Sequence, residues 1–299
     1  MNILIIGSKG FIGSVCYNFF KDLDGYDVYG ADVVTEYNDP NYFLIDATNA
    51  DFKSVFRKHQ FTWCVNCAGA ASVPDSFIRP EKDYLLNVNL TVALLNAIRE
   101  ENNDCKFLQM SSAAVYGNPV VMPIKETDRL APLSPYGIHK KQAEELCELY
   151  HKYYGLSIFI FRVFSAYGRG LQKQLFWDLF KKSRSQQHFA LFGTGEETRE
   201  FIHVTDIVNA MSLVISGNQT GFKIINIANG SPITIAAAAS AFLENIEFKG
   251  VFSFEGVNRS GDPLYWQADT SLLKSLGYQQ QISFEDGIKD YCKWLKERG

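Results

Sequence analysis

The sequence lacks the features that define several large classes of protein. None of its apolar runs approaches the ~20 residues that a membrane-spanning helix needs. Its formal net charge of −4 provides no basic surface for nucleic acid or for an anionic membrane. It also lacks low-complexity tracts, internal repeats and a long linker. We therefore expect neither a membrane nor a nucleic acid among its partners.

Cysteine and histidine are too scattered to indicate a disulfide framework or a metal site. Most of the six cysteines lie in apolar runs, which is typical of reduced thiols in a cytosolic protein. Cys64 and Cys67 form a C-x-x-C pair, but they end a predicted strand and lack a second pair, so we interpret them as structural. The five histidines show no metal-ligand spacing. We expect a cytoplasmic protein without a bound metal.

The sequence does contain a regular alternation of strand-like and helix-like segments. Short apolar runs predict strands at 2–6, 26–31, 42–45, 62–66, 105–110 and 156–162. Helical periodicity fills the gaps at 11–22, 51–58, 81–101 and 135–153. Strands that alternate with helices of this length are typical of βαβ units. The prediction is an α/β fold with a doubly wound parallel sheet.

The second half has a different pattern, which predicts a smaller α/β lobe. Strand-like runs at 224–228 and 251–254 are mixed with helical stretches near 173–187, 204–216, 232–245 and 284–298. We predict a first domain at residues 1–168 and a second lobe at residues 169–299, with some strands and helices of the second half returning to the first domain. Because open α/β sheets bind ligands outside the carboxyl ends of their strands, the chemistry is expected in the cleft between the lobes.

A glycine-rich turn near the N-terminus predicts the ligand of the first domain. The apolar run 3–6 leads into Gly7, Gly10 and Gly13 and then into a helical pattern. Such a turn lets backbone N–H groups approach a pyrophosphate, and the helix dipole points at it. The second strand ends at Asp32, where a carboxylate would accept hydrogen bonds from an adenosine ribose. The G-x-x-G-x-x-G spacing is weak evidence alone, but in this context it predicts a Rossmann-type dinucleotide site.

Two polar segments after the strand at 105–110 contain the candidate catalytic residues. Ser112 follows that strand, and Tyr136 and Lys140 open a helix four positions apart, one helical turn from each other. A phenol has a reference pKa near ~10, and a nearby ammonium group or an oxidised nicotinamide would lower it. Tyr136 could then take the proton of a substrate hydroxyl as hydride leaves the same carbon, while Ser112 hydrogen-bonds the same oxygen.

These residues and several further motifs make the chain resemble the NAD-dependent nucleotide-sugar epimerase/dehydratase family of the extended short-chain dehydrogenase/reductases. The resemblance covers almost the full length. It depends on the glycine motif, Asp32, Asp46, Asn66-Cys67-Ala68-Gly69, Asn87, Ser112, Tyr136, Lys140, Arg162-Val163-Phe164, Tyr167-Gly168, Arg199-Glu200-Phe201-Ile202-His203-Val204 and Arg259-Ser260-Gly261-Asp262.

The resemblance implies NAD as the cofactor and a nucleotide-diphosphate sugar as the substrate. Asp32 would select NAD because a carboxylate repels the extra phosphate of NADP. Arg199 and Arg259 would bind the nucleotide diphosphate through paired guanidinium donors. The implied cofactor contacts are Gly7, Gly10, Phe11, Ile12, Gly13, Asp32, Asp46, Ala47, Ala68, Gly69, Asn87, Tyr136 and Lys140, with Asp46 on the adenine side. The implied substrate contacts are Ser112, Ser165, Arg199 and Arg259.

The resemblance also implies a homodimer that pairs the helices at 81–101 and 135–153. The amphipathic pattern alone would fit packing within one chain equally well. His203 lies in the 199–204 motif, and we expect it to cap or pack rather than to catalyse.

Four positions depart from the family pattern. The dehydratases of the family have Asp-Glu after the catalytic Ser or Thr, whereas Ala113 and Ala114 stand here, so 4,6-dehydration is not expected. Ser165 replaces the usual Asn, and Leu90 replaces the usual Gly. A shorter hydroxyl at 165 indicates a different contact with the substrate or an intervening water.

Our first hypothesis is an NAD-dependent nucleotide-sugar 4-epimerase that works through a transient 4-keto sugar. The second is a reductase of nucleotide 4-keto-(6-deoxy)sugars, which would use the same three residues but consume exchangeable reduced cofactor; Ser165 and the divergent segment 169–180 favour it slightly. A third hypothesis is a dinucleotide sensor without catalysis, which would have no need for Ser112, Tyr136 and Lys140 together.

Overall fold

A computed structural model describes residues 1–257, 259 and 261–298. The strands are β1 (Asn2–Ile6), β2 (Asp27–Asp32), β3 (Tyr42–Leu44), β4 (Trp63–Asn66), β5 (Lys106–Ser112), β6 (Ile158–Val163), β7 (Ser165–Tyr167), β8 (His188–Leu191), β9 (Thr198–Arg199), β10 (Phe201–His203), β11 (Phe222–Ile227), β12 (Ile233–Thr234) and β13 (Val251–Phe254).

The helices alternate with these strands along the chain. They are α1 (Phe11–Lys21), α2 (Phe52–Lys58), α3 (Val73–Ile78), α4 (Pro80–Tyr84), α5 (Leu90–Glu101), α6 (Pro135–Tyr154), α7 (Gln174–Ser185), α8 (Val204–Ser216), α9 (Ile235–Asn245), α10 (Ser271–Ser275) and α11 (Phe284–Glu297). A π-helical turn at Leu85–Asn89 joins α4 to α5, and a 3₁₀ turn at Ala113–Val115 follows β5.

Seven of the described strands form one parallel sheet, which confirms the predicted fold class. Their spatial order is β11-β6-β5-β4-β1-β2-β3. Each neighbouring pair in this sheet runs parallel, from β1 beside β2 to β11 beside β6. The order reverses at β1, and β4 begins the second half of the sheet on the other side of β1. Ligands of doubly wound sheets bind at this reversal.

Helices cover both faces of the sheet because its central strands are apolar on both sides. On one face, α1 and α8 pack through residues such as Phe20, Ile207 and Met211. On the opposite face, α2, α5 and α6 pack through residues such as Phe56, Leu94 and Cys147. Strands buried on both faces appear in the sequence as continuous apolar runs, which is why β1, β4 and β6 were predictable.

A second core lies in the later part of the chain. It joins α7, α9 and α11 with the short parallel pair of β8 and β13. Aromatic side chains fill it, including Phe176, Phe242 and Tyr291. Phe11, at the start of α1, packs against this core and so connects it to the glycine turn.

The structure refines the predicted helix at 81–101. Pro80 occupies the first turn of α4, a position where its missing N–H costs nothing. The π-helical turn then interrupts the regular helix, and it buries Asn87 and Val88. Thr91 Oγ1, in the first turn of α5, donates a hydrogen bond to the Asn87 carbonyl oxygen at 2.7 Å. Single π-helical turns often occur at functional sites, and periodicity does not predict them.

Candidate active site

The glycine turn lies between β1 and α1 with almost no space for side chains. Gly7 has φ +78°, and a Cβ atom there would lie 2.7 Å from the backbone nitrogen of Ala68. A Cβ on Gly13 would lie 2.0 Å from the Gly7 carbonyl oxygen. Gly10 has extended backbone geometry and precedes α1 as its N-cap. The turn therefore brings backbone, not side chains, to the positive end of the helix dipole, as a pyrophosphate site requires.

Asp32 connects the end of β2 to the glycine turn. Its Oδ2 accepts a hydrogen bond from the Lys9 backbone N–H at 2.9 Å, and its Oδ1 accepts one from Val33 N–H at 2.7 Å. The carboxylate therefore lies at the carboxyl edge of the sheet beside the turn, where the prediction places a ribose. Asp46 and Ala47 follow β3 and are exposed. Hydrogen bonds from Thr48 lower the pKa of Asp46.

The segment after β4 closes the opposite side of this region. Asn66 Oδ1 accepts a hydrogen bond from Ala68 N–H at 3.2 Å, which fixes the path of the chain toward Gly69. Gly69 has φ +146°, and a Cβ there would lie 2.7 Å from Asn87 Oδ1 and 3.3 Å from Lys140 Nζ. Only glycine lets the backbone pass so close to both polar atoms.

The candidate catalytic residues converge where β5 ends and α6 begins. Ser112 Oγ accepts a hydrogen bond from Ala114 N–H at 3.2 Å. Tyr136 and Lys140 are 9% and 5% exposed, and the Lys140 ammonium lies 6.0 Å from the centre of the Tyr136 ring. Lys140 Nζ donates a hydrogen bond to the Met110 carbonyl oxygen at 2.9 Å. The structure thus brings all three residues together, although their roles remain predictions.

Burial opposes the ionisation of both groups that this chemistry needs. It raises the pKa of Tyr136 to about 12, while a hydrogen bond with Ser112 lowers that pKa and the Asp83 carboxylate raises it. Burial lowers the pKa of Lys140 to about 8, and the carboxylates of Asp83 and Glu144 oppose this effect. The protein part of the site alone therefore leaves Tyr136 a weak base at neutral pH. The positive nicotinamide ring of oxidised NAD would favour the phenolate.

A buried polar network supports this site, and the sequence analysis did not predict it. Arg162 Nη2 donates a hydrogen bond to Glu144 Oε2 at 2.6 Å, and its Nη1 donates one to Tyr116 Oη at 2.9 Å. Ser111 Oγ donates to Glu144 Oε1 at 2.5 Å, and Tyr116 Oη donates to Asn226 Oδ1 at 2.7 Å. Burial lowers the pKa of Arg162, but Glu144 and Tyr116 raise it above its usual value.

This network connects β5, β6 and β11 to α6 one turn after Lys140. The arginine of the 162–164 motif indicated the family, but its partners are distant in sequence. Only an ion pair between strand β6 and helix α6 explains why charged groups occur at two fully buried positions.

The two predicted diphosphate-binding arginines lie near each other, because, in addition to burial, the charge of Arg259 lowers the pKa of Arg199. Arg199 is half-buried on β9, and its guanidinium carbon lies 5.4 Å from the centre of the Trp266 ring. Burial lowers its pKa, and Asp262 and Glu197 raise it. Arg259 is exposed and forms an ion pair with Asp262 at 2.9 Å. Ser260, the next residue of that motif, lies outside the described residues.

The remaining motif residues divide into site and scaffold. Ser165 is half-buried at the start of β7, just beyond the carboxyl end of β6, and its N–H donates to the Glu200 carbonyl oxygen at 2.8 Å. Glu200 is fully buried and accepts a hydrogen bond from Gly230 N–H at 2.7 Å. Burial raises its pKa. His203 caps α8 through Thr205 N–H at 3.3 Å. Ile12 packs partly into the core beneath the glycine turn.

The residues present fit a dinucleotide. Gly7 and Gly13 have no room for a Cβ beside the neighbouring backbone, so the turn between β1 and α1 carries no side chain at either position. Within the described part of the chain, the buried Oδ1 of Asn87 has no hydrogen-bond partner, and it faces Gly69 and Lys140. A buried polar atom of this kind normally has a partner, so a ligand atom or a water is expected beside it.

The helices in the described part of the chain are all too short or too polar to span a membrane.

Comparison with known protein families agrees with this geometry. The model of the NAD dependent epimerase/dehydratase family matches residues 3–228, which is most of the chain. UDP-glucuronate 4-epimerase 1 of Arabidopsis thaliana is 27% identical over an alignment that covers 98% of this chain and 76% of the plant protein.

Solved structures show the same fold over the whole chain. UDP-glucuronic acid 4-epimerase from Bacillus cereus, in complex with UDP-glucuronic acid and NAD, is 25% identical and superimposes with a TM-score of 0.90 over 100% of both chains. UDP-glucose 4-epimerase from Thermotoga maritima, with UDP-glucose, is also 25% identical and has a TM-score of 0.89 over 100% of this chain and 99% of its own.

Proposed function

This chain belongs to the NAD-dependent epimerase/dehydratase family, and from that premise we propose that it is a UDP-sugar 4-epimerase working through a transient 4-keto sugar. The observation that carries the proposal is the convergence of Ser112, Tyr136 and Lys140 in a buried site at the carboxyl edge of the sheet. Ala113 and Ala114 follow Ser112, so carboxylates for water loss are missing at these two described positions. The similarity to the two solved 4-epimerases supports the choice of uridine diphosphate.

In the proposed reaction Tyr136 takes the proton of the sugar 4-hydroxyl and later returns it. Ser112 hydrogen-bonds the same oxygen and holds it near Tyr136. Lys140, one helical turn away, stabilises the phenolate with its ammonium group and holds the ribose of the nicotinamide. When bound along the glycine turn and Asp32, NAD would supply reversible hydride transfer at C4 of the sugar.

The dinucleotide and the substrate would bind to different parts of the molecule. We propose that the cofactor lies along the glycine turn, Asp32 and the segment Ala68–Gly69, with residues 1–168 forming the NAD-binding domain. Residues 169–299 would mainly bind the nucleotide sugar, with Arg199 and Arg259 on its diphosphate. An anchor at the diphosphate leaves the sugar free to turn over, which 4-epimerisation requires.

We also propose a homodimer formed by the surface of α4, the following π-helical turn and α6. Large apolar side chains are exposed there, including Leu85 at 47%, Leu149 at 40% and Tyr153 at 68%. Apolar side chains gathered on one helical surface are typical of protein interfaces. The six free thiols fit a reducing compartment, and we place the protein in the cytoplasm.

The test is the nucleotide content of the purified, desalted and then denatured protein, followed by turnover of UDP-glucose and UDP-glucuronic acid. We expect near-stoichiometric NAD or NADH and conversion of one substrate to its 4-epimer without added cofactor. If the purified protein contains no bound nucleotide and oxidises added reduced cofactor only in the presence of a 4-keto sugar, it is the reductase. Tight NAD binding without turnover of any nucleotide sugar would indicate the sensor.

A further inference from the structure

The carboxylate of Asp83 is buried close to the candidate catalytic residues, and the proposed reaction does not use it. Asp83 lies on α4, its side chain is only 3% exposed, and it faces α6. Ionised carboxylates are almost never buried this deeply unless they are paired. Within the described residues Asp83 Oδ2 has no hydrogen-bond partner, so hydrogen bonds satisfy only one of the two carboxylate oxygens.

Two side chains hold Asp83 in place. His139 Nδ1 lies 2.6 Å from Asp83 Oδ1, and the histidine is 12% exposed. Asn87 Nδ2 donates a hydrogen bond to the same oxygen at 3.1 Å. His139 immediately precedes Lys140, so the contact connects α4 to the part of α6 that carries Tyr136 and Lys140. The Tyr84 and His139 rings form a T-shaped pair, with ring centres 5.5 Å apart.

Asn87 hydrogen-bonds Asp83, and its other amide atom, the Oδ1 that is unpartnered within the described part of the chain, lies on the side of Lys140. Its amide group donates to Asp83, and its Oδ1 points toward Gly69. A Cβ on Gly69 would lie 2.7 Å from this Oδ1 and 3.3 Å from Lys140 Nζ. The two polar atoms therefore border the same small space beside Gly69. The carboxylate, the amide and the ammonium group therefore form one buried polar cluster.

The charges around Lys140 indicate what Asp83 does. Burial lowers the pKa of Lys140 to about 8, and Asp83 is the largest of the charges that raise it. Glu144 on α6 also raises it, but Arg162 binds both carboxylate oxygens of Glu144. The other facing groups are the thiols of Cys67 and Cys147, which raise the pKa of Lys140 less. The charged groups on the adjoining helix α3 and its end, Asp75 and Arg79, bind each other at the surface.

We propose that Asp83 is the internal counter-ion of Lys140, a positioning residue that keeps the ammonium group charged in its buried site while His139 and Asn87 hold the carboxylate. Lys140 stabilises the Tyr136 phenolate only as an ammonium ion, and a buried ammonium ion needs a nearby anion. The inference rests on the proposed function, because Lys140 acts on the reaction through Tyr136.

The test is the pH dependence of turnover in Asp83→Asn. With oxidised NAD bound, its positive ring favours the phenolate, so the acidic limb of the profile reports proton loss from Tyr136 and the basic limb reports proton loss from Lys140. Asp83 raises the pKa of both residues, so removing its charge lowers both values. We expect both limbs to move to lower pH by about one unit. Glu148→Gln removes the same charge from an exposed position of α6 and leaves both limbs unmoved.

Two further variants separate the charge from the shape of the side chain. Asp83→Glu keeps the charge and returns the limbs toward their original positions. Asp83→Ser removes the charge, leaves room for a water, and is used if the asparagine variant does not fold. A merely structural role for Asp83 would reduce the rate without moving either limb, and that outcome overturns the proposal.

A second readout does not depend on turnover. The pH dependence of Lys140 acetylation by acetic anhydride, measured by mass spectrometry, gives the ionisation of the amine directly. Half-maximal labelling should occur at lower pH in Asp83→Asn than in the wild type, and equal curves overturn the proposal. A wild type without epimerase activity would refute the proposed function and leave the labelling result intact.

Discussion

Burial of Tyr136 and Lys140 opposes the charged forms that the proposed reaction needs. Tyr136 and Lys140 must ionise to react, yet both are buried, which raises the pKa of the phenol to about 12 and lowers that of the amine to about 8. Each group therefore depends on specific neighbours, Ser112 for the tyrosine and Asp83 with Glu144 for the lysine. The neighbours lie on different elements, so the balance exists only in the folded chain.

Tyr136→Phe should abolish turnover while leaving the cofactor bound. The phenol oxygen is the proposed proton acceptor, and losing a general base typically costs about 10²–10⁴-fold in rate. Steady-state turnover of the active UDP-sugar and the nucleotide content of the denatured variant are the measurements. Tyr26→Phe, at the opposite end of the sheet, should behave as wild type. Retained activity in Tyr136→Phe would show that another group accepts the proton.

Lys140→Met should stabilise the fold at neutral pH while it removes activity. The pKa of Lys140 falls from an unfolded value of 10.5 to about 8 in the folded protein, so the unfolded chain binds more protons between these values. The contribution of Lys140 to the free energy of unfolding of the wild type therefore increases as the pH rises from 8 to 10.5, because the unfolded chain loses more protons than the folded one. The methionine variant avoids the cost at pH 7, an advantage on the order of 1–3 kcal/mol.

Urea unfolding of Lys140→Met and wild type at pH 7, 8.5 and 9.5 measures this difference. The advantage should shrink as the pH rises. Lys141→Met, which removes an amine from the next position of α6 at a more exposed site, should show no such trend. A difference between Lys140→Met and wild type that stays constant across the pH range would contradict the assigned ionisation.

At the scale of elements, α6 combines the chemistry with the scaffold. One face carries Tyr136 and Lys140, and the next turn carries Glu144, which pairs with Arg162 on β6. Both partners of this ion pair are at most 5% exposed. The network thus fixes the position of α6 against the sheet, and with it the distance between Tyr136 and Ser112 at the end of β5.

Arg162→Met should destabilise the protein by about 3–5 kcal/mol, because it leaves the buried carboxylate of Glu144 without its cation. The free energy of unfolding from urea titration at pH 7 measures the loss. Arg57→Met removes an exposed ion pair with Glu101 and should leave the free energy of unfolding nearly unchanged. Equal losses in the two variants would mean that the buried pair does not hold the fold together.

At the scale of the whole molecule, the helices beside the active site also form the exposed apolar surface proposed as the dimer interface. The π-helical turn contributes Leu85 and Leu86 to the surface and Asn87 to the interior. Association of two chains would therefore act on the same segment that places Asn87 and Asp83.

A variant with Leu149→Glu and Tyr153→Glu should be monomeric. These residues are exposed on one face of α6, and a pair of carboxylates would repel its symmetric copy across the interface. Size-exclusion chromatography with light scattering gives the mass, which should fall from two chains to one. Val251→Glu introduces one charge at an exposed position of β13 and should leave the mass unchanged. A wild type that is monomeric at micromolar concentration would refute the proposed dimer.

The sequence determined the parts of this protein that depend on local pattern. Apolar runs predicted β1, β4, β5 and β6 within a few residues, because strands buried on both faces have little choice of side chain. The glycine turn was predictable because backbone crowding at Gly7 and Gly13 excludes other residues. The family and NAD followed from the resemblance of the chain's motifs to a known family. Ser112, Tyr136 and Lys140 were grouped because they lie at a strand end and on one helix.

Tertiary structure decided the features that depend on residues distant in sequence. The Arg162–Glu144 network and the Asp83–His139 contact join side chains on different elements, and no periodicity records such pairs. The π-helical turn that buries Asn87 likewise contacts α6, as α4 and α5 do, and the periodicity of the sequence did not predict it. The ionisation of Lys140 belongs to the same class, because the burial and the charges that set it exist only after the helices have packed.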